Sequence, residues 1–531
     1  MAGLTVDRRT ALALGIGGAA TLALPASARQ AAPAALDTAV DSIVANFMRA
    51  FETPGIAVAI VRKDQPVWLK GFGVRTMGRP DPVDVHTRFG IASNSKAFTA
   101  AALAMLVEEG KIGWDDRLTQ HMPDFKMADP AVTTLFNVRD LLVHRSGLPL
   151  GAGDLLYFPR SNRTAQDAIR ALQFLQPVRP FRGGYDYDNI LYIVAGALIE
   201  KVSGQSWRDF IRTRLLEPLG MADAVPSLDL LRTSNVAGRH ARLGPPVRGI
   251  GPMRVIEADE SPVVDPGAGI NASITDIAKW LQVQLGLGEL PGGKRLWSKE
   301  MAAEMWTPQV VVSSSDGATD LNPARPVMSG YALGWFVQDF RARRLISHSG
   351  GLSGQVTQTA LIPSAGLGVA VFSNTEDSVS GGIRNAILDH LLGAPAYDWV
   401  GSYVARTKLA AESMAAAMGD GDAKRPEGGP SLPLAAYAGR YRDAWYGDIV
   451  VSQRGKGLHI DFAPHPQFAS ALELWGPDAF RTRMTPGKGE DAVVSFAVKD
   501  GKVTGVSMKA LSPLADFSYD YHHLAFVPVV G

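Results

Sequence analysis

The chain has 531 residues, with 53 Lys and Arg against 52 Asp and Glu, a formal net charge of +1 and no cysteine. Without cysteine there is no disulfide, no thiolate metal site and no lipoprotein attachment point. Balanced charge leaves no footprint for nucleic acid or an anionic lipid surface, and the length exceeds what one core accommodates, so two or three domains are predicted.

Read in chain order, Arg8-Arg9 precede an apolar run from Ala11 to Leu24, and Ala26-Ser27-Ala28 supplies small residues for cleavage. This predicts an export signal over residues 1–28, of twin-arginine character although Ala11 stands where a bulkier residue is usual. The expectation is a protein free in the periplasm or medium, with no stable membrane anchor. Leu36 to Phe51 reads as an amphipathic helix. Gly55 to Arg62 and Val67 to Arg75 read as a hairpin turned by Lys63-Asp64-Gln65-Pro66.

Ser93-Asn94-Ser95-Lys96 then opens an alanine-rich helix running to about Glu109. A serine hydroxyl needs a neighbouring base to become a nucleophile, and a lysine three residues on shares its helix face. Taken alone, the pattern describes a helix cap followed by a solvated lysine equally well. Tyr187-Asp188-Asn189, just before the apolar helix Ile190 to Val202, adds a phenol and an amide. A phenol beside an ammonium can shift toward phenolate and shuttle a proton, and Asn189 can orient a substrate carbonyl or the lysine. Ile346-Ser347-His348-Ser349-Gly350-Gly351 closes a short apolar run before an expected glycine-rich turn. There His348 and Gly350 line a substrate edge, and the N–H of Gly351 can pair with that of Ser93 as an oxyanion hole. His144 stands near Ser146, an arrangement that invites a Ser–His pairing. No Gly-x-Ser-x-Gly elbow, His-Glu-x-x-His or phosphate-binding loop occurs, so neither metal nor cofactor is expected.

Residues from Trp114 to Glu300 read as helices and loops, with Pro- and Gly-rich insertions between Pro245 and Gly269. Strands are predicted over Ala332–Phe340, Arg343–His348, Val356–Pro363 and Leu367–Asn374, and a helix over Gly382–Leu392. Strands at both ends with helices between them fit an α/β sandwich plus a helical subdomain. An alanine- and methionine-rich helix from Thr407 to Met418 leads into Gly/Asp/Pro text, placing a linker over 401–432 between a domain at 36–400 and another at 433–531. The last domain reads as a small antiparallel barrel, with Asp500-Gly501 as a hairpin turn. His522 and His523 read as a polar pair at a strand end.

The order Ser-x-x-Lys, Tyr-x-Asn, His-x-Gly resembles the serine β-lactamase and penicillin-binding-protein superfamily, nearest its class C β-lactamase and D-aminopeptidase branch. Phe89 to Thr99, Val138 to Pro149 and Gly267 to Ala278 are similar to that family's characteristic segments, and the likeness spans about residues 37 to 395. The resemblance implies an antiparallel sheet flanked by helices, with the active site between sheet and helical subdomain. It also implies acyl-enzyme chemistry at Ser93 with Lys96 and Tyr187. The C-terminal region resembles the lipocalin-like barrel of some D-aminopeptidase-like hydrolases, which would narrow the cleft or serve oligomerisation. Many relatives carry lysine where His348 stands, and a neutral histidine holds a β-lactam carboxylate poorly. The implied substrates are therefore short or D-residue peptides and amides, linearised cyclic peptides among them. Esters come second and β-lactams third, with a non-catalytic sensor as the rival of another class.

Overall fold

The structure is a computed structural model that describes residues 33–244, 248–418, 427–485, 487–512 and 515–529. The expected export signal and residues 419–426 of the expected linker lie outside the described residues. No described helix is long and apolar enough to cross a membrane.

Eight antiparallel strands form the main sheet: β1 (Gly55–Arg62), β2 (Trp68–Gly73), β3 (Val310–Ser314), β4 (Met328–Tyr331), β5 (Phe336–Phe340), β6 (Arg343–Leu352), β7 (Gln355–Ile362) and β8 (Leu367–Ser373). Their spatial order is β2-β1-β8-β7-β6-β5-β4-β3. The N-terminal hairpin thus closes against the last strand, Ala59 opposite Ala370, across the whole helical insertion.

Successive side chains of a strand point to opposite faces, and here both faces are covered. Ile56, Val58 and Ile60 pack with α1 (Pro33–Phe51) and the C-terminal helices, whereas Ala57, Ala59 and Val61 face the helical subdomain. Helix α2 (Ser95–Glu108) lies at the centre of that subdomain, buried from Ser95 to Leu106. Its alanines allow close approach of α3 (Ile190–Ser203), whose own first turns are buried.

Three expectations change. The strand expected over Ala332–Phe340 begins only at Phe336, as β5, because Ala332 to Trp335 form the turn from β4: Gly334 takes φ +77° and Ala332 N–H bonds the Trp335 carbonyl at 2.8 Å. The turn expected after His348 comes later: Ser349, Gly350 and Gly351 stay paired with Gln358, Thr357 and Val356, and the chain reverses at Ser353-Gly354. Finally, the helix expected from Thr407 begins at Trp399 and runs to Met418, so the first part of the expected linker is packed structure. Tyr403 meets Phe47 of α1 edge-on at 5.9 Å, and Trp399 Nε1–H bonds Asp389.

Eight more antiparallel strands between Gly439 and Pro528 close into a barrel. Asp500 and Gly501 both take positive φ between Ala492–Lys499 and Lys502–Ala510, as a two-residue hairpin requires. The barrel docks on the loop of residues 149–163. Buried Asp520 accepts the Gly153 N–H at 2.8 Å and the Leu155 N–H at 3.2 Å. Arg163 bonds the Tyr446 carbonyl at 2.5 Å and His465 the Pro159 carbonyl at 3.1 Å.

Candidate active site

Ser93 sits in a single 3₁₀ turn, Ala92–Asn94, between the short strand Phe89–Gly90 and the start of α2. The preceding Ala92 has φ +49°, a conformation that costs an L-residue about 1–3 kcal/mol and persists only where its surroundings impose it. Those surroundings are visible. Ile91 N–H bonds the Ile270 carbonyl at 2.9 Å, and Asn94 is held by Thr357 and Thr359 of β7 at 2.9 and 2.6 Å. The turn is pinned between sheet and subdomain.

Lys96 is fully buried one turn on. Its Nζ lies 3.0 Å from Ser93 Oγ, 2.7 Å from Asn189 Oδ1 and 3.1 Å from the Gly267 carbonyl. Burial pulls its pKa down to about 7, against the opposing pull of Asp154 and Asp188. A neutral amine has two N–H bonds and one lone pair. With the Asn189 and Gly267 carbonyls taking both N–H bonds, the lone pair is left facing the Ser93 hydroxyl.

Tyr187 Oη donates to the same Ser93 oxygen at 2.8 Å. Its ring lies 4.8 Å from Lys96 Nζ, yet its pKa is raised, because burial outweighs the hydrogen bond to Ser93 and the nearby Asp154 and Asp188 push the same way. The expected drift toward phenolate is therefore corrected: Tyr187 stays a phenol. His144 lies under its ring, centroids 4.2 Å apart, and accepts the Asp188 N–H at 3.2 Å. That is a support for Tyr187 rather than a base for serine.

His348 is 2% exposed. Its Nδ1 faces the Ser349 carbonyl at 2.6 Å, so that nitrogen carries the hydrogen, and Nε2 then accepts from Tyr331 Oη at 2.9 Å. Burial and Lys96 lower its pKa to about 3. It is a neutral, fully engaged side chain. Gly350 and Gly351 run beside the Ser93 turn, and Gly351 is open on the side where a Cβ would point.

Ser93, Tyr187, Asn189, His348, Gly350 and Gly351 share one cavity of about 740 Å³ with Leu150, Phe336, Phe517 and Tyr519. Lys96 lies behind its wall. Among the described residues, no group of His, Asp or Glu could hold a metal ion. The motifs contain the six lining residues and Lys96, and the barrel, expected either to narrow the cleft or to serve oligomerisation, lines it with Phe517 to Tyr519, whereas no motif pointed to Asp154 or Tyr331. Their contacts are long-range and carry no local spacing.

Residues 40–394 match the family model described as Beta-lactamase. The chain belongs to the β-lactamase family. Residues 423–528 match the Domain of unknown function (DUF3471). This β-lactamase-family chain is 29% identical to unguisins hydrolase ungD of Aspergillus violaceofuscus, over 83% of this chain and 81% of that one. It is 26% identical to protein flp of Staphylococcus aureus (strain MW2), over 63% of this chain and 62% of that one. Among solved structures, the octameric penicillin-binding protein homologue from Pyrococcus abyssi superposes with TM-score 0.57 at 22% identity, covering 92% of this chain and 99% of that chain. A penicillin-binding protein from Bacillus halodurans superposes with TM-score 0.52 at 20% identity, covering 66% and 99%. At those identities the likeness is one of fold.

Proposed function

We propose that this β-lactamase-family protein is an acyl-enzyme serine hydrolase that cleaves short peptides or related amides, D-residue and linearised cyclic peptides included. The observation that carries the reading is the convergence on Ser93 Oγ of a deprotonatable Lys96 at 3.0 Å and a phenol that stays protonated at 2.8 Å. One group accepts a proton and the other gives one.

In the first half-reaction the Ser93 oxygen attacks the carbonyl carbon as its proton passes to Lys96. The backbone N–H groups of Ser93 and Gly351 hold the developing oxyanion. The C–N bond breaks as the amine takes the Tyr187 proton, and the proton on Lys96 restores the phenol. Water then attacks the ester carbonyl, and the same groups return Ser93 to its hydroxyl form.

Two features favour a peptide over a β-lactam. His348 offers no cation for a carboxylate, since it is neutral and tied to Tyr331. The cavity wall also carries Asp377 and Asp516, besides Glu376 paired with Arg248 and Glu260 paired with Arg239, and the two carboxyls unpaired among the described residues suit a substrate with a free ammonium group. Phe517 and Tyr519 of the barrel close one side, which favours short substrates.

A matched amide and ester with the same acyl group test the reading, with Ser93→Ala as the blank. Amide turnover that disappears in the variant is the expected result. Ester turnover alone would replace peptide hydrolysis with an esterase, and turnover surviving in Ser93→Ala would overturn the mechanism.

A further inference from the structure

Asp154 is a buried carboxylate that the chemistry above does not use. It lies in the 149–163 loop and receives hydrogen bonds from three sides. Tyr157 Oη donates to Oδ1, while Asn189 Nδ2 at 2.9 Å and Ser518 Oγ at 2.7 Å donate to Oδ2. Three donors on one carboxyl suit its ionised, acceptor-only form. One donor, Ser518, comes from the barrel, and the next barrel acid, Asp520, grips the Asp154 loop through Gly153 and Leu155.

The consequence falls on Asn189. An asparagine at a helix N-cap ordinarily turns its side-chain oxygen onto the first N–H groups of its helix. Asn189 occupies the N-cap of α3 and makes no such bond. Its amide is stretched instead between two partners, Nδ2 toward Asp154 and Oδ1 toward Lys96 Nζ at 2.7 Å. A carboxylate cannot donate, so the amide can face Asp154 only with its N–H₂ end. That leaves the carbonyl, and not the amine, against Lys96. The lysine then spends an N–H on Asn189 and turns its lone pair to Ser93.

We propose that Asp154, clamped between Ser518 of the barrel and Asn189, is a positioning residue that fixes the Asn189 amide and thereby aims Lys96 at Ser93. The barrel segment 517–520 is then an outer layer of the catalytic centre and not only a wall of the cleft. This rests on the reading of Ser93 as the nucleophile. The groups around Asp154 are Tyr157 on its own loop, Asn189 with Asp188 ahead of α3, Lys96 of α2, and Ser518 and Asp520 of the barrel. Burial and Asp520 raise the Asp154 pKa to about 7, against the hydrogen bonds it accepts. An ionised Asp154 and a neutral Lys96 therefore coexist above that pH.

The test uses the full chain and p-nitrophenyl acetate as the acylating probe, with the acylation rate followed from pH 5.5 to 9.5. Mass spectrometry reads the acetyl group on Ser93, and Ser93→Ala serves as the blank. Wild-type protein not acylated at Ser93 would defeat the underlying reading, and this inference with it. With acylation established, Asp154→Asn should lower the plateau rate by about tenfold or more, since its amide can accept the Asn189 amide in either orientation. It should also move the acid limb down by about one pH unit, because Lys96 loses a neighbouring negative charge. Ser518→Ala keeps the Asp154 charge while removing one clamp, and should lower the plateau by a smaller factor. Loss of packing alone would lower the rate and leave the limb in place. An unmoved limb in Asp154→Asn, or a wild-type rate in Ser518→Ala, overturns the proposal.

Discussion

Gly350 leaves no room for a side chain against Ile91: a Cβ there would stand 2.1 Å from the Ile91 carbonyl oxygen and 2.9 Å from Ala92 Cβ. The neighbouring Gly351 has nothing within 4 Å of the same point. Strand β6 therefore presses on the Ser93 turn at one glycine and is free at the next. Gly350→Ala must push the strand off the turn. It should cut acylation about a hundredfold through misplacement of the oxyanion donors, while Gly351→Ala stays within severalfold of wild type. Acylation rates of the two variants side by side check this. Equal losses would mean that the glycines serve only strand flexibility.

The chemistry that sits at fixed sequence spacing was legible before the fold was known. Ser93 and Lys96 share a helix face, Tyr187 and Asn189 flank a helix start, and His348 and Gly350 alternate along one strand. What escaped were partners that no motif pointed to and only tertiary folding brings in: the Gly267 carbonyl on Lys96, Asp154 on Asn189 and Tyr331 on His348. The charge state of Tyr187 also escaped, because the pull of a nearby ammonium is visible in sequence and the depth of burial is not. The barrel hairpin at Asp500-Gly501 was legible because its turn chemistry is local. The length of strand β6 was not, since only its pairing with β7 keeps Ser349 to Gly351 extended.

The pH dependence of acylation follows from Lys96. Only the neutral amine accepts the Ser93 proton, and burial brings its pKa to about 7. The rate should therefore rise with pH through about 7 and level off above it. No fall should follow until Tyr187 ionises, and burial holds that above the ordinary phenol range. Rates on p-nitrophenyl acetate from pH 5 to 10 decide the matter. A rate that falls through pH 7 as pH rises would assign the proton acceptance elsewhere.

The same buried lysine carries a stability signature. Lys96 titrates near 7 in the folded chain and near 10.5 when exposed, so between those values the unfolded chain binds the extra proton. The folding penalty of its burial is complete below about pH 7 and relaxes as pH rises toward the ordinary lysine value. At about 1.4 kcal/mol per pH unit, wild-type stability relative to Lys96→Met should improve by on the order of 4 kcal/mol between pH 7 and 10. Urea denaturation of both proteins across that range measures the difference. A constant gap would mean that Lys96 keeps its ordinary pKa, and the acylation scheme would lose its base.

Tyr187 and Lys96 contact the same serine oxygen but separate by leaving group. An amine departs only as it gains a proton, whereas p-nitrophenolate leaves without one. If Tyr187 is the donor, Tyr187→Phe should cost amide cleavage about a hundredfold to a thousandfold and cost p-nitrophenyl ester cleavage about tenfold or less. The ring that rests on His144 is kept in this variant, so packing under the site is preserved. Steady-state rates on the matched amide and ester read the contrast directly. Equal losses on both substrates would make Tyr187 part of the proton-accepting step instead, acting on Ser93 together with Lys96.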